Sequence, residues 1–147
     1  MENTKILIHE KYMKTAINNA KNAGHHFGAL IVKDDKIVGR MGQRPVGDPR
    51  YHAETTAIFN ACDKLKTRDL TGCILYSTCE PCPMCFYMSW TTNISKIVYG
   101  ANIKDAENAG IKQIEVSNKY MNKKSGKKIK IIKNVLKKEC IELLKSH

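Results

Sequence analysis

The chain has 147 residues, 42% of them apolar and 27% charged, with six cysteines and a formal net charge of +11. That length fits a single domain spanning 1–147, and no run approaches the ~18 consecutive apolar residues of a membrane-spanning helix. The apolar patch Ile6-Leu7-Ile8 is too short for a signal-peptide core, so a cytoplasmic protein is expected, with free thiols rather than a disulfide scaffold.

Met13, Ala16, Ile17 and Ala20 recur at i, i+3, i+4 and i+7, which predicts an amphipathic helix over 9–22, ended by Gly24. Phe27 to Lys33 reads as a buried strand, Asp34-Asp35 as a turn, and Lys36 to Gly39 as the second arm of a hairpin. Gly42, Pro45, Gly47 and Pro49 make 40–50 a loop. A helix is expected from His52 to Leu65 and a strand from Cys73 to Ser77. Pro81 and Pro83 open a helix over 83–92, since proline is tolerated in a first helical turn. Lys96 to Tyr99 is a strand ended by Gly100, Asp105 to Ala109 a short helix, and Ile111 to Val116 a strand. Residues 118–128 read as loop, 128–132 as strand or loop, and Val135 to Lys145 as a final amphipathic helix. Alternating helices and strands of this kind make an α/β domain.

The charge is concentrated at one end. Residues 117–147 hold ten Lys and two Glu, a net +8. A basic segment over 119–138 is the electrostatic footprint expected of a nucleic-acid partner. The same pattern is also what a solvated face gives in a chain where Lys outnumbers Arg 21 to 4.

Three of the six cysteines crowd into Cys79-Glu-Pro-Cys82-Pro-Met-Cys85, and His52-Ala-Glu54 precedes them by about thirty residues. H-x-E followed by P-C-x-x-C is the signature of the zinc-dependent nucleobase deaminases. Its chemistry can be argued on its own terms. A catalytic zinc takes three protein ligands and leaves the fourth position to a water or hydroxide. His52, Cys82 and Cys85 supply that count, one Zn2+ per chain, and both cysteines stand at a helix start that favours thiolate. Glu54, two residues from His52, can stand beside the metal without ligating it and serve as general acid and base. Other readings of the same residues are a closed structural site that adds Cys79, an iron–sulfur run that lacks its fourth cysteine because position 89 is Ser, and buried core thiols. His25 and His26 read as an exposed polar pair or as contacts at a pocket mouth.

These motifs resemble the cytidine deaminase superfamily, in its guanine deaminase and tRNA adenosine deaminase branch. The likeness runs through Phe27-Gly-Ala-Leu-Ile-Val32, Asp48-Pro49, the two metal motifs, Ile97-Val-Tyr-Gly-Ala101 and Asp105-Ala-Glu-Asn-Ala-Gly110. It implies a three-layer α/β/α fold on a mixed five-stranded sheet in the order 2-1-3-4-5, with the two metal-bearing helices side by side. It also implies a homodimer, and substrate contacts from Phe27, the Ala53 backbone and Trp90. Where relatives carry an Asn that reads the base, Gln43 is the nearest match, and Lys112 and Gln113 stand where guanine deaminases carry an acid. The resemblance implies hydrolytic deamination of a small nucleobase or nucleoside, a guanine-like purine foremost. A tRNA adenosine or a cytosine substrate is the alternative, and a non-enzymatic zinc module is the contrasting class.

Overall fold

The computed structural model describes residues 2–42, 44–45, 47–126 and 129–146. The first helix, α1 (Glu2–Ala23), starts a full two turns before the predicted one. Its buried stripe is Tyr12, Met13, Ala16, Ile17 and Ala20, while Ile6, Leu7 and Ile8 are exposed, so the helix outruns the packing that made it legible. Gly24, at φ +70, takes the left-handed position that closes it.

Strands β1 (Ala29–Lys33) and β2 (Lys36–Arg40) form the expected hairpin. Asp34 and Asp35 both have positive φ, the geometry of the two-residue turn that matches strand twist. After the loop come α2 (Ala53–Leu65), β3 (Ile74–Cys79), α3 (Pro83–Thr91) and β4 (Lys96–Ala101). The chain closes with α4 (Ile103–Asn108), α5 (Asn118–Lys124), β5 (Lys130–Ile132) and α6 (Lys137–Lys145).

Among the described residues five strands form one mixed sheet in the order β2-β1-β3-β4-β5, as the resemblance implied. β1 is antiparallel to both β2 and β3, and β3, β4 and β5 run parallel. The two-residue period of each strand sends its side chains alternately to two cores. Ile31, Leu75 and Ile97 pack with Ala57, Ile58 and Phe86 of α2 and α3. Leu30, Tyr76 and Val98 pack with Met13 and Ala16 of α1 and Cys140 of α6. Helices therefore cover both faces, giving the three layers, and α2 and α3 lie together on one of them.

Four local expectations are corrected. β4 does not stop before Gly100 but runs through it to Ala101. Gly100 is where α6 packs closest, and a Cβ there would lie 2.7 Å from the Val135 carbonyl oxygen. Residues 111–116 are not a strand, because β5 takes the sheet edge beside β4 and leaves them no ladder to join. The segment taken as loop holds α5 over Asn118–Lys124, with Ser117 Oγ accepting from the Tyr120 N–H at 3.1 Å. α6 starts at Lys137 rather than Val135, since Asn134 and Leu136 have positive φ. No described helix is long and apolar enough to cross a membrane.

Candidate active site

The site is built where two helices on the same face begin. His52 immediately precedes α2, and Cys82 precedes α3 with Cys85 in its first turn. The Thr55 hydroxyl accepts from the His52 N–H at 3.0 Å and donates to the His52 carbonyl at 3.1 Å, which pins the residue that must present its ring. On the other helix, Pro83 sets φ for the first turn and has no N–H to leave unpaired.

His52 Nδ1 lies 3.5 Å from Cys82 Sγ and 3.3 Å from Cys85 Sγ, and the two sulfurs are 3.6 Å apart. Tetrahedral zinc with ordinary Zn–S and Zn–N bonds would space such donors about 3.6–3.8 Å from one another. One imidazole and two thiols thus stand at the corners of one face of a zinc tetrahedron, and the donor set fits the metal. Cys79 is not the fourth corner. It is buried at the end of β3, with its thiol 3.8 Å from the Asn102 carbonyl oxygen and outside the three-donor cluster. The closed structural site and the three-cysteine iron–sulfur run therefore lack a ligand.

The sulfur–sulfur hydrogen bond and, further, the bond with His52 push Cys82 down to about 4, and the same sulfur–sulfur bond raises Cys85. The Cys82 bond also raises His52. Glu54, from the first turn of α2, is 6% exposed. Burial first, and the Cys82 charge second, raise its pKa, so the carboxyl is set to take and hold a proton.

A cavity of about 310 Å³ opens onto these groups. Phe27, Ala53 and Glu54 line it, with His52 itself at its floor. Trp90 does not: it is half-buried, packs from α3 against the core and stacks tilted on Tyr87 at 5.5 Å. Gln43 lies outside the described residues. Residues not singled out as catalytic or binding in the sequence also line the cavity: Arg44, Tyr51, Glu80 and Ile111, together with His25, Lys112 and Gln113. His25 is the pocket contact of its pair, while the His26 ring faces the Leu143 carbonyl at 3.4 Å. The segment misread as a strand supplies Ile111 to Gln113, and only its placement across the site in three dimensions reveals that.

Comparison with known proteins points the same way. The pattern of the cytidine and deoxycytidylate deaminase zinc-binding region matches residues 7–101. A guanine deaminase of Bacillus subtilis (strain 168) is 42% identical over 110 residues, covering 69% of this chain and 70% of that protein. A tRNA-specific adenosine deaminase of the same organism is 32% identical over 137 residues, covering 89% and 83%. The solved structure of a guanine deaminase from Nitrosomonas europaea superposes with a TM-score of 0.82 at 24% identity, over 92% of this chain and 81% of that one, and so shares the fold.

Proposed function

The chain belongs to the zinc-binding cytidine and deoxycytidylate deaminase family, and we propose that within it the substrate is a purine, guanine-like foremost. The activity is that of a zinc-dependent hydrolase acting on the C–N bond of a cyclic amidine in a nucleobase or nucleoside, with release of ammonia. Deamination is carried by Glu54, buried in the wall of the cavity next to the His52, Cys82 and Cys85 cluster, and the purine preference is supported by the 42% identity to a guanine deaminase. Zinc held by those three residues supplies an activated water and a Lewis acid.

The chain's own residues do the rest. Glu54 takes the proton released as water adds to the carbon bearing the amino group. It returns that proton to the neighbouring ring nitrogen, takes a second from the added hydroxyl as the carbonyl forms, and delivers it to the departing amine, which leaves as ammonia. Burial raises its pKa and so favours the protonated form that the carboxyl must hold between accepting and donating. Phe27 offers a ring against the base, and the Ala53 backbone lies at the same wall. Gln43 is proposed to read the base edge. Trp90, with Tyr87, is assigned to a subunit contact rather than to the base. Exposed Phe59 on α2 and Met84 and Tyr87 on α3 make the apolar face through which a homodimer would form. A cytoplasmic location is proposed with it, in keeping with six free thiols.

A second reading has its own support. Lys104, Lys119, Lys133 and Lys137 line an open groove of about 950 Å³, and the basic residues over 119–138 would track the phosphates of a tRNA whose adenosine is deaminated. Ammonia release from guanine, adenine, cytosine, their nucleosides and 5′-monophosphates and a tRNA anticodon stem-loop decides between them. The account expects turnover of a purine. Turnover of cytosine compounds alone would overturn the purine assignment, and none on any substrate with zinc bound would overturn the enzyme.

A further inference from the structure

Arg44 is the charged residue of the cavity wall that the deamination chemistry does not use. It comes from the loop between β2 and α2, is half-buried, and lines the same 310 Å³ cavity as Glu54 and His52. Its Nη1 is buried and has no hydrogen-bond partner, and among the described residues the guanidinium makes no ion pair. Glu54 and Cys85 are the groups whose charges act on it, and neither is joined to it. Burial pulls its pKa down, which is the sign of a cation that has lost water without gaining an anion. A buried guanidinium nitrogen with no acceptor costs free energy that a bound oxyanion would recover.

One basic group lies near it and another lines the same cavity. His25, from the turn after α1, lines the cavity within electrostatic reach of Arg44. Lys112, from the segment after α4, stands exposed at the rim, with Glu107 and Glu115 as its acidic neighbours. Glu80, the other carboxylate of the wall, is occupied by the backbone N–H groups of Ile103 and Asn118 and is not available to neutralise Arg44. A planar donor fork with an imidazole beside it is chemistry suited to a phosphate ester rather than to a neutral ring carbonyl.

We infer that Arg44, with His25 beside it and Lys112 on the same cavity, binds a phosphate of the substrate, so that the unit deaminated is a phosphorylated nucleotide rather than a free base. This rests on the deaminase reading and adds the phosphate to it. That phosphate has two sources, a free mononucleotide or the backbone of an RNA, and the test separates them.

The zinc-loaded protein is assayed on matched pairs, guanosine against its 5′-monophosphate, adenosine against its own, and cytidine against its own, beside an RNA stem-loop. Binding is measured in parallel by calorimetry on the Glu54→Gln protein, so that the reading does not depend on turnover. A phosphate-bearing member is expected to exceed its nucleoside roughly ten- to a hundredfold in kcat/KM or in affinity. Arg44→Gln is expected to abolish that advantage through KM, and Arg44→Lys to restore part of it. Loss of binding confined to mononucleotides assigns the phosphate to a free nucleotide, and loss confined to the stem-loop assigns it to RNA. Nucleosides that match their phosphates and the stem-loop in both measurements, or an advantage that survives Arg44→Gln, would overturn the inference. A preference for the cytidine pair would overturn the purine assignment and leave the phosphate site standing.

Discussion

Glu80 and Asn118 clasp each other across the loop that delivers the metal cysteines. Glu80 accepts from the Asn118 N–H at 2.8 Å through one carboxylate oxygen and from the Ile103 N–H at 3.2 Å through the other. Asn118 in turn donates its side-chain amide to the Pro81 carbonyl at 2.7 Å. Both residues are buried, so the start of α5 is fixed to the residue before Cys82 by bonds shielded from water.

Breaking this clasp should loosen the metal loop. Asn118→Ala leaves the Pro81 carbonyl without its donor, and Glu80→Gln sets an amide NH2 donor against one of the two N–H donors that the carboxylate accepts from. Each is expected to cost about 1–3 kcal/mol of stability and to weaken zinc retention roughly ten- to a hundredfold, as loss of groups that orient ligands does. Thermal denaturation and competition with a chromophoric chelator would check both. Unchanged zinc affinity in both variants would show that the clasp serves the fold alone.

Gly100 sets how closely α6 approaches the sheet. A Cβ there would lie 2.9 Å from the Cys140 Cβ and 2.7 Å from the Val135 carbonyl oxygen, with backbone on one side and a buried thiol on the other. Gly100→Ala should therefore destabilise the fold by about 1–3 kcal/mol through overpacking. Gly100→Ala with Cys140→Gly should recover part of the loss. Chemical denaturation of the two proteins measures this.

His9 gives the fold a pH dependence of known sign. It is buried against Tyr76, its Nδ1 2.7 Å from the Tyr76 hydroxyl, and burial followed by Lys96, Lys130 and Lys5 lowers its pKa from 6.5. The unfolded chain thus binds a proton more readily than the folded one. The contribution is complete above about pH 6.5 and is lost as pH falls through the lowered folded value. His9→Gln, which keeps a polar partner for Tyr76 but cannot be protonated, should show a smaller drop in Tm between pH 7.5 and 5.5 than the unaltered protein. Equal drops would show that His9 does not titrate in that window.

The metal donors act as a set, since one imidazole and two thiols occupy three of four positions. Replacing His52, Cys82 or Cys85 singly with Ala should reduce zinc from one per chain to a small fraction and abolish deamination. Cys79→Ala should leave zinc content unchanged, since its sulfur stands outside the cluster. Elemental analysis of the purified proteins distinguishes the two cases, and zinc loss in Cys79→Ala would bring back the four-ligand site.

What could be read in the chain depended on how local the cause was. His52, Glu54, Cys82 and Cys85 were legible because their spacing is itself the chemistry: each pair sits within one helical turn, and only one long-range contact had to be supplied. The hairpin followed from Asp34-Asp35, and β1, β3 and β4 from their apolar runs. The strand expected at Ile111–Val116 failed because strand propensity is local while a place in the sheet is not, and β5 holds that edge. α5 was missed because its lysines and asparagines carry no apolar stripe, and what anchors it is the buried Asn118. Arg44 was passed over for the same reason. It lies in a Gly- and Pro-rich loop, and only the folding of that loop over the helix starts brings it into the cavity.

The central claim is that Glu54 moves the protons of a hydrolytic deamination while three other residues hold the zinc. Replacing Glu54 with Gln keeps the size and the hydrogen-bonding shape and removes the proton shuttle. Ammonia release and zinc content, measured together on this one protein, test the claim most directly. The account predicts one zinc per chain, an unchanged fold and a rate lower by a factor on the order of 10²–10⁴ or more, the range for a lost general acid–base. A Glu54→Gln protein that keeps its zinc and still releases ammonia at the original rate would contradict it.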